Sequence, residues 1–214
     1  MNLLHRTMSC RASRADSRRQ HLLDVARELF TEHGFHATGV AQIASVSGIK
    51  VGQIYRDFQS KDDIIAALVE ADLGEFLDED SLTQAVERDD FAAVRGWIER
   101  FIDVSEPMEE CRLMAEINAE AGRNPRIAQL QHAIDERIRA SLSRALVALE
   151  PSESRAGCRS LLVDLILALG TGLMFRRLSS PSLAAPELAA HIGRLIDREI
   201  EALQGAPSCL AAAG

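Results

Sequence analysis

The sequence lacks most of what a metal centre, a disulfide framework or an exported protein would need. Its four cysteines are far apart, with no CxxC pair and no Cys/His spacing that would hold zinc. The N-terminal residues contain no apolar stretch of signal-peptide length. The most apolar stretch, 161–175, is shorter than the roughly 20 residues of a membrane span and contains Asp164. We therefore expect a cytoplasmic protein without disulfides, in which this stretch is a buried helix.

The common sequence motifs of catalytic sites are missing too. The chain has no GxSxG nucleophile elbow, no phosphate-binding glycine loop and no HExxH helix. Its six histidines are scattered along the sequence. We therefore expect no enzymatic activity, no metal and no cofactor.

Helix-forming residues, by contrast, are abundant. Ala, Leu, Glu and Arg are frequent, only six prolines occur in 214 residues, and no strand-like alternation persists. Most prolines lie near the starts of apolar-periodic segments, where a helix tolerates a missing N–H. The sequence therefore predicts an all-α fold. Its longer helices are expected at 81–104 (with a break near Asp89), 107–122, 124–149, 153–179 and 185–204.

The first part of the chain predicts a compact unit of three helices. One amphipathic helix ends at Gly34, and two short helices follow on either side of Gly48. Ile43, Ile54 and Phe58 are suitably spaced to hold the short helices together. Two short helices joined by a glycine-containing turn, after a supporting helix, form a helix-turn-helix.

Charge is unevenly distributed between this unit and the rest of the chain. Residues 1–61 hold nine Arg and Lys against five Asp and Glu, whereas residues 62–214 hold fifteen against twenty-seven. The two lysines of the chain, Lys50 and Lys61, lie close to its only tyrosine, Tyr55. A basic head on an acidic protein indicates that only the head meets a polyanion such as DNA.

The segment GFHATGVAQIASVSGIKVGQIYRDFQSKDDI, residues 34–64, resembles the DNA-binding segment of TetR/AcrR-family transcriptional regulators. The shared pattern is a glycine–aromatic pair, a threonine, Ile-Ala, a turn glycine, Gly-x-hydrophobic-Tyr, an aromatic residue and Ser-Lys-acidic. In this chain the pattern is carried by Gly34-Phe35, Thr38, Ile43-Ala44, Gly48, Gly52-Gln53-Ile54-Tyr55, Phe58 and Ser60-Lys61-Asp62. Together these elements are far more specific than any one of them.

The resemblance implies a role for each matched residue. Thr38 would cap the first short helix and touch a phosphate, and Tyr55 and Lys61 would also bind phosphates. Gly52 would let DNA approach closely, and Gln53 would pair with adenine. The alternative for Tyr55 is packing of its ring inside the head. The implied DNA-binding residues are Thr38, Gln42, Lys50, Val51, Gly52, Gln53, Tyr55, Arg56 and Lys61.

Some positions depart from the family pattern. Lys50 replaces a small hydroxyl residue and would contact guanine or a phosphate, while Val51 would contact a thymine methyl group. Asp57 is acidic where the family usually has His or Tyr. It would either hold Arg56 or Arg27 in place or weaken DNA binding.

The N-terminal residues 1–16 are rich in Arg and Ser without helical periodicity, which predicts a flexible basic arm. Such an arm either follows a minor groove, using Arg11, Arg14, Arg18 and Arg19, or stays in solution. The predicted domains are a flexible arm at 1–16, a helix-turn-helix domain at 17–62, a helical ligand-binding and dimerisation domain at 63–204, and a disordered tail at 205–214.

The resemblance implies that the later helices bind a small effector and form a homodimer. The helix at 153–179 is apolar nearly all round and the helix at 185–204 has an apolar face, which predicts a four-helix interface between two copies. The alternative is packing of both helices within one chain. The predicted interface residues are Leu162, Leu169, Leu173, Ile192, Leu195 and Ile196. The predicted pocket residues are Trp97, Phe101, Met108, Met114, Ile117, Ile134 and Ile166.

These features together predict a ligand-responsive, one-component DNA-binding transcriptional regulator. We expect a repressor that leaves its double-stranded DNA operator when a small, largely apolar effector binds the C-terminal domain. The alternatives are a transcriptional activator, or a helical adaptor that binds protein partners and no effector. No membrane partner is expected.

Overall fold

Ten α-helices make up the regular structure of the part of the chain that is described. The computed structural model describes the backbone of residues 3–105, 107–180 and 182–205, and the side chains from residue 15 onward within these ranges. No strand occurs within them, which confirms the predicted all-α fold. The helices are α1 (Leu3–His33), α2 (Val40–Ser47), α3 (Val51–Asp57), α4 (Lys61–Leu77), α5 (Glu79–Glu87), α6 (Phe91–Glu99), α7 (Met108–Ala121), α8 (Pro125–Leu149), α9 (Ala156–Ser179) and α10 (Ala185–Gly205), with 3₁₀ turns at Arg100–Ile102 and Glu153–Arg155.

The segment 81–104 is divided into two helices and a 3₁₀ turn. Asp89 has a φ of 53°, a left-handed conformation that ends a helix. Asp90 then caps α6, because its carboxylate accepts a hydrogen bond from the backbone N–H of Ala93 at 3.0 Å. The break that the sequence predicts near Asp89 is therefore confirmed.

The N-terminal arm differs from its prediction. α1 begins at Leu3, so the backbone of the segment expected to be flexible is helical from there. The arm contains neither glycine nor proline. A helix nucleated by the apolar residues that follow can extend through it, because adding a residue costs far less than starting a helix. From residue 206, the predicted disordered tail lies outside the described residues.

The chain divides into two compact units, and neither is continuous in sequence. The first, which we call the head unit, comprises Met1–Asp72 and Arg112–Gln131. The second, which we call the body unit, comprises Leu73–Cys111 and His132–Gly214. The compact unit that contains the helix-turn-helix is therefore larger than residues 17–62, because it includes a segment from α7 and α8.

A small apolar core holds the helix-turn-helix together. Phe30 of α1, Ile43 of α2 and Ile54 of α3 are buried almost completely. The ring of Phe35 lies 5.4 Å from that of Phe30, centroid to centroid, and extends this core to the connection between α1 and α2. Gly48 has a φ of 69°, which L side chains rarely adopt, and ends α2. The left-handed turn lets α3 begin three residues later.

α9, α10 and the first 3₁₀ turn form the centre of the body unit. Ile166 of α9 and Ile200 of α10 are fully buried. Gly170 of α9 lies so close to the turn that a Cβ atom there would overlap the carbonyl oxygen of Phe101. A glycine is therefore what lets the helix and the turn approach each other this closely.

The sequence predicts α9 as a buried helix, but the structure buries only one side of it. Leu161 is 70% exposed and Leu165 is 39% exposed. By length and composition alone, Glu153–Ser179 could cross a membrane, and one third of its most apolar window is buried. Arg159, at the start of α9, is buried and donates hydrogen bonds to two backbone carbonyls. The helix therefore has one packed face and one exposed apolar face.

The structure corrects the expectation that the protein has no disulfide bond. Cys158, on α9, is disulfide-bonded. Sequence spacing could not reveal this, because disulfide formation depends on the distance between two cysteines in the fold.

Candidate DNA-binding surface

The helix-turn-helix presents one continuous exposed surface on α3 and at its start. Lys50, Val51, Gly52, Tyr55 and Arg56 are all exposed there. The side chain of Tyr55 is 53% exposed, so its ring is not part of the core. Most of the residues that the family resemblance singles out therefore lie side by side on one short helix. Gln42 of α2 and Gln53 of α3 are half-buried.

Gly52 is open to its surroundings. A Cβ atom built at this position would meet no atom within 4 Å, and its φ is not in the left-handed region. Among the described residues, neither packing nor backbone conformation requires a glycine here. The residue therefore leaves α3 without a side chain at the centre of its exposed surface.

Thr38 does not have the role that the resemblance implies. The residue at the N-cap of α2 is Gly39, and no side chain caps this helix. Thr38 is 0% exposed, and its hydroxyl lies 3.1 Å from the carbonyl oxygen of Leu29 and 2.9 Å from that of Gly34. A buried hydroxyl that donates to the end of α1 is not available to a phosphate. Thr38 instead fixes the connection between α1 and α2.

Lys61 is half-buried, and its ammonium group binds backbone atoms of the head unit. Its Nζ donates to the carbonyl oxygens of Phe35 at 2.6 Å and Thr38 at 2.9 Å, and lies 4.2 Å from the centroid of the Phe35 ring. Burial lowers the pKa of Lys61, while the carboxylates of Glu120 and Asp62 act in the opposite direction. The predicted phosphate contact is corrected accordingly: Lys61 binds the backbone between α1 and α2. A lysine in the first turn of a helix gives no sign of this in sequence.

The two lysines should behave differently when mutated. Lys61→Ala removes a charged donor from two backbone carbonyls, which should lower the free energy of unfolding by about 2 kcal/mol. Lys50→Ala should leave urea unfolding unchanged, because Lys50 is exposed and caps no helix with its side chain. It should weaken DNA binding instead. A Lys61→Ala protein with wild-type resistance to urea would contradict the role given to Lys61.

Asp57 pairs with Arg18 of α1, and not with Arg56 or Arg27 as expected. Arg18 Nη2 lies 3.3 Å from Asp57 Oδ2, whereas Arg27 forms its ion pair with a carboxylate of α4. The side-chain amide of Gln53 lies against the same guanidinium group. The sequence did not indicate this cluster, because Arg18 and Asp57 are 39 residues apart and carry no shared motif.

Residues from much later in the chain complete the head unit. The carboxylate of Glu116 accepts a hydrogen bond from the backbone N–H of Phe35 at 3.3 Å. Asn124 and Arg126 donate to two carboxylates in the first turn of α4. Glu120, the residue that faces Lys61, is only 7% exposed. These polar groups follow an ordinary amphipathic pattern, so the sequence gave no reason to assign them to the head.

The body unit contains a cavity of about 170 Å³. Most of its wall is apolar, and its polar lining includes Arg100, Asp103, Thr171 and Arg177. Hydrogen bonds from Ser105 lower the pKa of Asp103, and the positive charge of Arg177 adds to this effect. The apolar lining includes Phe76, Phe101, Ile138, Ile166, Leu173 and Met174.

Only two of the seven predicted pocket residues, Phe101 and Ile166, line this cavity. Trp97 is buried beside Phe101, and its ring N–H donates to the carbonyl oxygen of Leu77. It is therefore a core residue. The other predicted residues that do not line the cavity are Met108, Met114, Ile117 and Ile134. Helical periodicity marks apolar positions but does not show which of them border a cavity.

Most of the predicted dimer-interface residues are packed inside the chain. The predicted residues that are at most 6% exposed are Leu162, Leu173, Ile192 and Ile196. Leu169 is half-buried, and Leu195 is 38% exposed. The exposed apolar and small residues of α9 form a different stripe, which we call the α9 stripe: Leu161, Leu165, Ala168, Gly172 and Phe175. A helix that is apolar all round does not reveal in sequence which face packs within the chain.

An exposed short helix after a left-handed glycine turn, supported by a long helix, defines a helix-turn-helix protein, and the chain adds a larger all-α unit. Residues 22–68 match the family described as bacterial regulatory proteins, tetR family. Residues 91–203 match the C-terminal domain of the BetI-type transcriptional repressor. The chain belongs to the TetR family.

Two curated regulators illustrate the similarity. UidR of Escherichia coli K12 is 31% identical over 117 residues, which cover 54% of this chain and 58% of UidR. AcrR of Shigella flexneri is 39% identical over 64 residues, which cover 28% of this chain and 30% of AcrR. The chain thus matches less than two thirds of the length of these relatives.

Solved structures resemble the chain over most of its length. GusR of Salmonella enterica has a TM-score of 0.67 at 22% identity, with 86% of this chain and 96% of GusR covered. A protein from Saccharomonospora viridis, solved in complex with choline, has a TM-score of 0.66 at 20% identity, with coverages of 85% and 96%. At these identities the likeness concerns the fold, and it confirms the predicted helical architecture.

Proposed function

We propose that the protein is a ligand-responsive, one-component transcriptional repressor that binds double-stranded DNA as a homodimer in the cytoplasm. The observation that carries this proposal is the exposed surface of α3. Lys50 and Arg56 offer positive charge there, Tyr55 offers a hydroxyl group, and Gly52 leaves space for a close approach. Such groups bind phosphates and base edges when a short helix enters a major groove.

The α9 stripe supports the homodimer. Its residues recur at alternating spacings of four and three, as they do along the seam between two packed helices. Leu161 and Leu165 border a small cleft shared with α10, so the exposed apolar surface extends onto that helix. A second copy that packs its own stripe against this one would cover the α9 stripe and the cleft. Two heads then bind two successive half-sites of an operator.

The cavity of the body unit supports a small effector. Its volume of about 170 Å³ is below the ~300–1,000 Å³ of common ligand pockets, and its wall is mostly apolar. A small, largely apolar molecule with one polar end fits this lining. Effector binding releases the repressor if the effector prefers a state in which the two heads no longer match two half-sites.

The direct test measures binding of the purified protein to the duplex upstream of its own gene, by fluorescence anisotropy. The apparent affinity should fall by orders of magnitude between about 50 and 200 mM salt, because phosphate contacts release counterions. Protein that shows no salt-sensitive binding would contradict the proposal and favour a protein-binding adaptor. A reporter gene under the same duplex separates repression from activation. Short acyl carboxylates and choline are suitable first effector probes.

Gly52 and Gly74 offer a matched pair of substitutions. Both lie in helices, and a Cβ atom at either meets no atom of the described residues within 4 Å. Alanine at either position should therefore raise helix stability by up to about 1 kcal/mol. Gly52→Ala should nevertheless weaken DNA binding about tenfold or more, because its methyl group occupies the proposed contact with DNA. Gly74→Ala, on α4, should leave DNA binding unchanged. Equal DNA affinities of the two variants would contradict a close approach at Gly52.

A further inference from the structure

We propose that Arg18 of α1 binds a DNA phosphate along one side of α3, while Asp57 holds it in place there. The inference rests on the proposed function, because it concerns how the same head unit binds an operator. It replaces the expectation that Arg18 belongs to an arm that follows a minor groove or stays in solution.

Arg18 lies beside α3 in the fold. Its Nη2 is 3.3 Å from Oδ2 of Asp57, the last residue of that helix. The side-chain amide of Gln53, about one helical turn earlier, lies against the same guanidinium group. The next residue of α1, Arg19, has its guanidinium 4.9 Å from the centroid of the Phe58 ring, directly after α3. These contacts place Arg18 at one side of α3.

The side of α3 beside Arg18 is the one that should face a phosphate backbone. Successive residues of a helix are about 100° apart, so Gly52 separates Tyr55 on one side of the exposed surface from Gln53 and Asp57 on the other. A helix in a major groove about 12 Å wide has a phosphate backbone on either side. Tyr55 therefore faces one backbone, and Arg18 faces the other.

Arg18 can bind a phosphate without leaving Asp57. A guanidinium group carries five N–H donors, and the contact with Asp57 involves only Nη2. The side chain of Arg18 is 33% exposed, so it is accessible at the surface of the head unit. Hydrogen bonds from arginine to phosphate are charge-assisted and stronger than those between neutral groups. The ion pair therefore orients Arg18 and leaves donors for DNA.

Asp57 has two opposing effects on DNA binding. Its carboxylate keeps Arg18 beside α3, but it also adds a negative charge next to a polyanion. Arg18 offsets that charge, which accounts for an acidic residue at the end of α3. A residue that binds only phosphate changes the affinity for all sequences alike, so Arg18 should not influence the choice of base.

The test compares Asp57→Asn with the double variant Arg18→Ala, Asp57→Asn, by fluorescence anisotropy on the duplex upstream of the gene. Both proteins lack the carboxylate, so the loss of Arg18 is measured without leaving Asp57 unpaired. The double variant should bind about tenfold more weakly. Its plot of log affinity against log salt should be shallower by about 0.9, as expected for one lost phosphate contact. An unrelated duplex should lose affinity by a similar factor.

Two further variants serve as controls. Arg123 also belongs to the head unit and also lies 3.3 Å from a carboxylate, that of Glu120. Arg123→Ala removes the same charge from a contact that does not involve α3, so it should keep the wild-type salt dependence. Arg18→Lys in the Asp57→Asn background keeps the positive charge and should also retain the slope, which separates a lost phosphate contact from a disturbed fold.

Equal affinity and equal salt dependence of Asp57→Asn and the double variant would overturn the inference, since Arg18 would then be only a structural partner of Asp57. A slope that falls as far with lysine at position 18 as with alanine would overturn it too. Failure of the wild type to bind any duplex would instead overturn the proposed function itself.

Discussion

A chain with both Leu161→Asp and Leu165→Asp should be a monomer and should lose about a hundredfold or more in operator affinity. Both leucines are exposed on the α9 stripe, so the substitutions leave the core of the body unit untouched. Charges at the centre of an apolar interface would be buried without partners, and the dimer would not form. Each head would then bind one half-site without the gain from a linked second head. Sedimentation velocity and fluorescence anisotropy measure the two effects.

Val147→Asp is the control for this pair. Val147 is 43% exposed and lies on α8, away from the stripe in sequence. The variant adds a charge to an exposed apolar position and should remain a dimer with wild-type operator affinity. A Leu161→Asp, Leu165→Asp protein that still sediments as a dimer would show that the copies join elsewhere.

Gly170→Ala should lower the free energy of unfolding by about 3 kcal/mol. The added Cβ would overlap the backbone carbonyl oxygen of Phe101, and neither a helix nor a hydrogen-bonded turn can move aside as a side chain can. Because Gly170 also lines the cavity, the variant should bind effector probes more weakly. Urea unfolding at matched protein concentration measures the first effect, since the stability of a dimer depends on concentration.

Gly157→Ala, on the same helix, provides the comparison. In the described part of the chain, no atom lies within 4 Å of a Cβ built there, so the variant should be as stable as the wild type or slightly more stable. If Gly170→Ala unfolds at the same urea concentration as Gly157→Ala, α9 does not approach the turn as closely as the structure shows.

The helices of this protein could be predicted from the sequence because their signals are local. Apolar residues recur at helical spacing, and residues such as Gly48 and Asp90 end or begin helices through their own backbone or side chain. The prediction was wrong for the N-terminal arm, whose residues are compatible with either a flexible or a helical backbone. The arm before residue 17 lacks apolar periodicity, yet nothing in it stops α1 from extending.

The residues of the candidate site were predicted less completely than the helices. The family pattern correctly indicates the exposed residues of α3, because their positions follow from the helix itself. The pattern does not indicate the direction in which a side chain points. Thr38 and Lys61 were therefore assigned to phosphates, although both bind backbone carbonyls. The contacts of Arg18 with Asp57 and of Glu116 with Phe35 join residues far apart in sequence, which no local pattern encodes.

Because residues 112–131 belong to the head unit, a truncation after the N-terminal helices does not yield a complete head unit. A fragment that ends after Asp72 lacks the carboxylate of Glu116 that accepts from Phe35, and it lacks the donors of Asn124 and Arg126 to α4. Chimeras that exchange N-terminal heads between family members at this point would transfer an incomplete module. For this chain the transferable module consists of two separate stretches of sequence, and both must come from the same parent.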